Sequence, residues 1–403
     1  MQKKKICIIG LGYIGLPTAA LLANKGYIVH GVDIVQSVVN TINNGEIHIS
    51  EPDLHAFIET AVKNGNLHAD TKPTYADVFI IAVPTPFHEG YIPNIDYVIS
   101  AAESITPYVK EGNIVILEST SPVGTTKKVE DILENNGIDV SRLYIAYCPE
   151  RVIPGRIMHE LIENDRIVGG KDTESARIIS NFYRDFVTGE VYETDTKTAE
   201  MCKLVENSFR DVNIAFANEI SMLCDKLGIN VLELIELANR HPRVNILKPG
   251  VGVGGHCIAV DPWFIVHSDS KLSKLIRTAR EVNNYKTEWV IKKIKNNALK
   301  FEKENRLKPK IACLGLAFKP DVDDIRESPA LYIVKRLIIE GYDVLPVEPN
   351  VNNFKDFQLY DIEEAIKKAD IITLLVAHRE FKKLDIKTEL DFCRVTKNVS
   401  GYY

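Results

Sequence analysis

The run KICIIGLGYIGLPTAALLANKGYIVHGVD, residues 5–33, limits the fold more than any other part of the chain. An apolar stretch ends in Gly10, Gly12 and Gly15, a helical pattern follows, and a second apolar stretch ends at Asp33. Glycines at this spacing permit a tight turn, close approach of backbone to a pyrophosphate, and close packing of the helix on its strand. The N-terminus of that helix offers unpaired N–H groups and the positive end of its dipole to phosphate. A carboxylate about twenty residues further on, at the end of the next strand, suits a ribose 2′-hydroxyl. No arginine follows Asp33 in DIVQS to meet a 2′-phosphate, so the pattern points to NAD rather than NADP. DVFIIAVPTP, NIVILEST and LYIAYCPE continue the theme, each apolar and each closed by turn residues. Short apolar runs alternating with helical patterns predict buried parallel strands covered on both faces, a doubly wound α/β domain.

The pattern returns near the other end. KKICIIGLG is echoed by PKIACLGLAFK, NKGYIVHGVD by IEGYDVLPVEP, and ADVFIIAVPTP by ADIITLLVAH. A second Rossmann-like domain is expected there. Its turn, GLAFKPDVDDIRESP, keeps Gly315 but lacks the later glycines and carries Lys319 and Arg326, which suits a nucleotide-linked substrate better than a second dinucleotide. Between the halves, TKTAEMCKLVENSFRDVNIAFANEISMLCDKLG holds helical spacing without an internal Gly or Pro. One long helix is expected, with Lys203, Asn207 and Arg210 on one face. The expected division is 1–195 for the NAD-binding domain, 196–300 for a central helical domain, and 301–403 for the second Rossmann-like domain.

Composition narrows the function. A net charge of −6 argues against a general nucleic-acid binder, and no apolar run is long enough to cross a bilayer. No signal-peptide pattern opens the sequence, and seven scattered cysteines form neither a disulfide framework nor a CxxC metal pair. The expectation is a reduced, cytoplasmic enzyme without a metal. Among those cysteines, Cys257 follows three glycines, at 252, 254 and 255, and precedes Asp261 and Pro262. Turn N–H groups or a nearby lysine favour the thiolate, and Asp261, placed by the proline in a fixed turn, could serve as a base or orient a lysine. An NAD turn, a thiol nucleophile and a second nucleotide cleft together suggest oxidation of a sugar nucleotide through a thiohemiacetal and a thioester.

The blocks GLGYIGLPTA, GEIHISEPDL, AVPTPF, ESTSPVGTT, YCPERVIPG, TAEMCKLVENSFRDVNIAFANE, NRHPRVNILKPG, GVGGHCIAVDPWF and LAFKPDVDDIRESPA, in this order, resemble the UDP-glucose/GDP-mannose dehydrogenase family over essentially the whole chain. The resemblance implies oxidation of a sugar C6 alcohol to a carboxylate with two NAD and one water. It implies Cys257 as nucleophile, Lys203 and Asn207 at the oxyanion, Asp261 in proton handling, and Thr120 and Glu150 positioning the hydrolytic water. Cofactor contacts are implied for Gly10, Gly12, Tyr13, Ile14, Gly15, Asp33, Thr85, Thr125 or Thr126, and Arg326. Substrate contacts are implied for Arg151, Val152, Lys203, Asn207, Arg210, His241, Arg243, Gly254, Phe318 and Lys319. Within the family, His256-Cys257-Ile258 and Val260-Asp261-Pro262 resemble the N-acetylhexosamine branch. That implies UDP-N-acetyl-D-mannosamine as substrate, its gluco epimer as the alternative, and a product class used in bacterial surface polysaccharide. His256 is either a base beside the thiol or, as the preferred reading, a shaper of the acetamido pocket. A homodimer is implied, with Arg243 reaching across its interface and the long helix as the seam. Relatives end with an Asp two residues before a Lys or Arg, whereas Val395 holds that Asp position here and Lys397 follows. A catalytically dead nucleotide-binding protein on the same scaffold is the reading from a different class; it has no need of Cys257, Lys203, Asn207 and Asp261, all of which are present.

Overall fold

The computed structural model describes residues 4–153, 155–255, 257–351, 354–384, 386, 388 and 390–395. His256 and Lys397 lie outside the described residues. The chain divides into two compact units, Met1–Val205 and Glu206–Tyr403.

In the first unit the strands are β1 (Lys5–Ile9), β2 (Ile28–Val32), β3 (Leu67–Asp70), β4 (Val78–Ile81), a small antiparallel ribbon of β5 (Phe87–His88) and β6 (Ile92–Pro93), then β7 (Ile114–Leu117), β8 (Tyr144–Tyr147), β9 (Arg166–Gly170) and β10 (Val191–Asp195). Apart from the ribbon they form one sheet in the order β10-β9-β8-β7-β4-β1-β2-β3. Every residue of β4 and β7 is buried, as expected of central strands covered on both faces. Alternation divides their side chains between two cores. Ile6, Ile8, Ile80 and Ile116 pack on one face, and Cys7, Ile9, Phe79, Ile81, Val115 and Leu117 on the other. The chain moves outward from β1 to β2 and β3, then crosses back to β4, β7 and β8. The carboxyl ends of β1 and β4 therefore flank the switch point where open sheets bind ligands.

One feature departs from an all-parallel expectation. β9 pairs with β8 antiparallel, Ala146 facing Gly170 and Tyr147 facing Gly169, while β10 runs parallel to β9. The segment between β8 and β9, with its helix Ile157–Glu163, is not a face-crossing connection, and the chain re-enters the sheet from its carboxyl end. Carrying that register three residues past Tyr147 sets Arg166 opposite Glu150.

The helix Thr196–Leu227, 32 residues, leads from the first unit into the second, as the helical spacing predicts. In the second unit a helix Asp261–Ser268 precedes another 32-residue helix, Lys274–Asn305. The sheet that follows, β11 (Lys310–Leu314), β12 (Asp343–Val347), β13 (Ile371–Leu374) and β14 (Leu390–Asp391), is parallel in the order β12-β11-β13-β14. The helix Pro329–Ile339 starts where Ser328 caps Leu331 N–H and Pro329 supplies a preset φ. Among the described residues no helix is long and apolar enough to cross a membrane.

The two long helices are tied by buried polar groups. Arg280 Nη1 donates to Asp211 Oδ1 at 2.7 Å, and Asn283 Nδ2 donates to the same oxygen at 2.8 Å. Truncating one partner of a buried pair leaves an uncompensated charge, so Asp211→Ala is expected to cost about 3–5 kcal/mol in denaturant unfolding. Asp211→Leu combined with Arg280→Met should recover most of that loss.

Candidate active site

In the first unit the glycine turn behaves as its spacing predicts, each glycine for its own reason. Gly10 has φ +94°, and a Cβ there would stand 2.5 Å from the Ala82 carbonyl oxygen. A Cβ on Gly15 would stand 1.8 Å from the Gly10 oxygen, so helix and turn meet without room for a side chain. A Cβ on Gly12 would meet nothing within 4 Å, which leaves its backbone open to a ligand. Tyr13 and Ile14 stand half-buried just before the helix Gly15–Asn24. Asp33 Oδ2 accepts from Leu11 N–H at 3.2 Å and Oδ1 from Val35 N–H at 2.9 Å, fixing the carboxylate at the rim of the turn. Ile34 is 85% exposed beside it, with Val35 also exposed. This apolar pair went unread in the sequence, although two β-branched residues after a strand-end acid are a usable signal. An open backbone at Gly12, a helix N-terminus and a fixed carboxylate suit the pyrophosphate and ribose of NAD.

Around the carboxyl ends of β4, β7 and β8 several expected residues meet. Thr85 Oγ1 donates to the Thr120 carbonyl at 2.5 Å, joining the loops after β4 and β7. Glu150 is buried; its Oε1 accepts from Arg151 N–H at 2.7 Å and its Oε2 from Arg166 Nη1 at 2.5 Å. Lys203 Nζ donates to the Glu150 carbonyl at 2.6 Å. Thr120, Glu150 and Lys203 thus belong to one end of the sheet and to the first unit. Val152 is half-buried, and Arg151 sends Nη1 towards the Asp165 carbonyl at 3.3 Å.

Thr125 and Thr126 are already engaged within the protein. Thr125 Oγ1 donates to the Pro122 carbonyl at 2.7 Å. Thr126 gives both N–H and Oγ1 to Glu200 Oε1 at 2.7 Å, while Gly124 N–H reaches Glu200 Oε2 at 2.6 Å. Glu200 therefore fills the N-terminus of the helix Thr125–Asn135. Its partners lie more than seventy residues away, so nothing local in the sequence reveals them.

In the second unit the thiol stretch turns directly into a helix. Cys257 is exposed, and its carbonyl accepts from Val260 N–H at 3.1 Å and Asp261 N–H at 2.8 Å. Asp261 is not in a fixed turn, as expected from the sequence, but is the first residue of the helix Asp261–Ser268, because Pro262 sits where a helix tolerates proline. Asp261 and Asn207 are buried, and Asn207 Nδ2 donates to Asp261 Oδ2 at 2.6 Å. Gly254 and Gly255 lie against Phe318: a Cβ on Gly254 would stand 2.5 Å from the Glu327 oxygen, and one on Gly255 3.0 Å from the Phe318 ring. Gly255 N–H donates to the Arg326 carbonyl at 3.1 Å, so the thiol loop is pinned to the segment after β11.

The side chains of the remaining expected residues make other contacts. The Arg326 guanidinium holds the Asp324 carboxylate, with Nη2 to Oδ2 at 2.6 Å, and Lys319 Nζ lies 5.6 Å from the Phe318 ring centre. Arg210 is exposed on its helix, and His241 and Arg243 are exposed in the loop after the next helix, Val231–Ala238, where Arg243 N–H reaches His241 Nδ1 at 3.3 Å.

The second turn repeats the first with one change. Gly315 has φ +95° and no room for a Cβ, which would stand 2.5 Å from Val376 Cβ. Glu348 accepts from Leu316 and Ala317 N–H groups at 2.7 and 2.9 Å, as Asp33 does from Leu11. Glu348 is buried, however, and its Oε2 also meets His378 Nε2 at 3.1 Å. A carboxylate sealed this way is not offered to a dinucleotide ribose.

Three family models match the chain, all of the UDP-glucose/GDP-mannose dehydrogenase family: the NAD binding domain over residues 4–187, the central domain over 197–285, and the UDP binding domain over 312–399. The chain is 52% identical to the UDP-N-acetyl-D-mannosamine dehydrogenase of Campylobacter jejuni, covering 97% of this chain and 100% of that protein. It is 50% identical to the NDP-N-acetyl-D-galactosaminuronic acid dehydrogenase of Ralstonia nicotianae, covering 95% and 92%. The solved UDP-N-acetyl-mannosamine dehydrogenase of S. aureus superposes with a TM-score of 0.88 at 44% identity, covering 98% and 96%. With the glycine turn fitted to NAD and such likeness from end to end, the chain belongs to the UDP-glucose/GDP-mannose dehydrogenase family of NAD-dependent nucleotide-sugar dehydrogenases.

Proposed function

We propose that the protein oxidises UDP-N-acetyl-D-mannosamine at C6 to the uronate through a thioester on Cys257. The buried Asn207–Asp261 hydrogen bond directly behind the Cys257 turn carries this reading. The relatives of C. jejuni and S. aureus, named for that sugar, support the choice of epimer. NAD, when bound, accepts the hydride leaving C6 in each of the two oxidations. Lys203 takes the hydroxyl proton as the aldehyde forms. Cys257 Sγ then bonds to C6, giving a thiohemiacetal whose oxygen is held by Lys203 and Asn207. Asp261 Oδ2 accepts a hydrogen bond from Asn207 Nδ2, which fixes the orientation in which the amide meets that oxygen. Loss of the second hydride and the hydroxyl proton leaves the thioester. Glu150, with Thr120, orients water and takes its proton; the new C6–O bond forms, the C6–Sγ bond breaks, and the thiolate is restored. A thiol before a helix N-terminus is favoured as thiolate, both as nucleophile and as leaving group.

In this reading Asp33 holds the ribose, Ile34 and Val35 face the adenine, and the buried Thr125 and Thr126 keep the loop after Thr120 in place rather than touching the cofactor. Arg326 completes the cofactor site. Arg151, Val152, Arg210, His241, Arg243, Gly254, Phe318 and Lys319 serve the UDP-sugar. Residues 1–195, 196–300 and 301–403 take the cofactor, pairing and UDP-sugar roles. Two copies pair through the face of the long helix that exposes Phe209, Phe216, Leu223 and Leu227, spaced by seven, seven and four residues. Seven cysteines without a disulfide suit a reducing, cytoplasmic setting.

With limiting UDP-N-acetyl-D-mannosamine and excess NAD, the protein should form two NADH per sugar nucleotide and turn over the gluco and galacto epimers slowly. Cys257→Ala should lower turnover by roughly 10³-fold or more, and a yield of two NADH at an undiminished rate would overturn the thioester route. Asp33→Ala removes hydrogen bonds to a charged group, so KM for NAD should rise about 10- to 100-fold with kcat nearly unchanged. Phe209→Asp with Phe216→Asp should give a monomer by light scattering; an intact dimer would move the interface elsewhere.

A further inference from the structure

A second carboxyl group lies beside Glu150. Glu118 follows β7 directly, Glu150 lies three residues beyond β8, and the two strands are parallel neighbours with Leu117 beside Tyr147. Arg166 opens β9 and Tyr183 comes from the helix Thr173–Arg184. All four side chains are buried, Glu118 to 3% exposure. Tyr183 OH donates to Glu118 Oε1 at 2.7 Å, and the Arg166 guanidinium, paired with Glu150, lies 5.4 Å from the Tyr183 ring centre. Glu118 Oε2 and Arg166 Nε are buried with no hydrogen-bond partner among the described residues. The cluster thus sets one permanent cation against two carboxyl groups out of water. Two carboxylates there would leave one negative charge without a counter-ion, so the cluster keeps one proton to a higher pH than an ordinary carboxyl group does.

We propose that Glu118 is a positioning residue for thioester hydrolysis, its charge setting how firmly Arg166 holds the Glu150 carboxylate. The proposal rests on the reading of Glu150 as the group that takes the proton of the hydrolytic water. With Glu118 protonated, the guanidinium charge is matched by Glu150 alone and holds that carboxylate firmly. With Glu118 ionised, the guanidinium charge is shared between the two, and Glu150 is freer to turn to the hydrolytic water. Burial first, and then the charge of Glu150, push Glu118 up to about 7, so the change falls in the working range. The other groups facing Glu118 do not compete. Burial pushes the Cys148 thiol up to about 12 and the Tyr183 phenol well above its ordinary value, and Arg166 stays cationic.

The test follows release of the UDP-uronate by rapid quench and chromatography, with saturating UDP-N-acetyl-D-mannosamine and NAD, between about pH 5.5 and 8.5. In the wild-type protein the release rate should rise through about pH 7. Glu118→Gln is neutral throughout: it should match the wild type within about twofold at pH 6 and run roughly tenfold slower at pH 8. Glu118→Asp should restore the rise. A Glu118→Gln profile that copies the wild type, or that is slower by one constant factor at every pH, overturns the proposal; the second result is that of a packing defect. Glu150→Gln separates the two readings, because normal release from that variant removes the role of Glu150 itself, whatever Glu118→Gln does.

A second readout is independent of turnover. The folded protein holds the Glu118 proton more tightly than the unfolded chain, whose carboxyl has the ordinary value of 4.5. This contribution to stability is complete below about pH 4.5 and is lost as pH rises through about 7. The melting temperature of Glu118→Gln should therefore gain on the wild type between pH 5 and 8, and a constant difference overturns the proposal.

Discussion

Both sheets depend on a strand that stops against a glycine with no space for a side chain. At Gly10 the neighbouring strand's Ala82 carbonyl closes in, and at Gly315 it is Val376. Any other residue would force the turn away from the adjacent strand, and after Gly10 it would carry with it the helix Gly15–Asn24 that follows the turn. A carboxylate from the next strand then secures each turn through its first N–H groups, Asp33 in one and Glu348 in the other. The two copies differ in what happens to that carboxylate. Asp33 stands at the rim beside exposed apolar side chains, whereas Glu348 is buried against His378. One supersecondary device thus leaves its carboxylate at the rim of the turn in one unit and closes it into a structural bond in the other.

Much of this was legible in the sequence because it is local. The glycine spacing, the acid after β2, the repeat in the second half and the length of the helix Thr196–Leu227 all arise within windows of about thirty residues, where period and turn chemistry are decisive. The thiol stretch was legible for the same reason, although the tolerance of a first helical turn for Pro262 placed Asp261 in a helix instead of a turn. The residues that were missed depend on distant partners. Glu200 is an ordinary helix glutamate in the sequence, and only the fold brings it to Gly124 and Thr126. Likewise the reversal at β9 leaves no mark in the apolar pattern, because antiparallel and parallel neighbours bury the same side chains. Yet that reversal sets Arg166 opposite Glu150 and creates the charge cluster.

In the proposed mechanism the chemistry divides in the same way. Binding groups come from turns, where backbone N–H groups are available without conformational cost. Two of the polar groups assigned to the reaction are buried and paired: Asn207 with Asp261, and Glu150 with Arg166. Pairing keeps each side chain in one orientation, so little reorganisation is needed when charge develops at C6. The proposed nucleophile is the exception. Cys257 is exposed, as a group that is to bond to substrate has to be, and the glycines around it let the loop lie flat against Phe318.

The proposed four-electron oxidation turns on the covalent bond to Cys257. Protein mixed with UDP-N-acetyl-D-mannosamine and NAD, quenched in acid during the first turnovers and digested, should yield the peptide containing Cys257 with the added mass of the UDP-sugar acyl group. Two NADH formed per sugar nucleotide while that peptide stays unmodified at every quench time would contradict it.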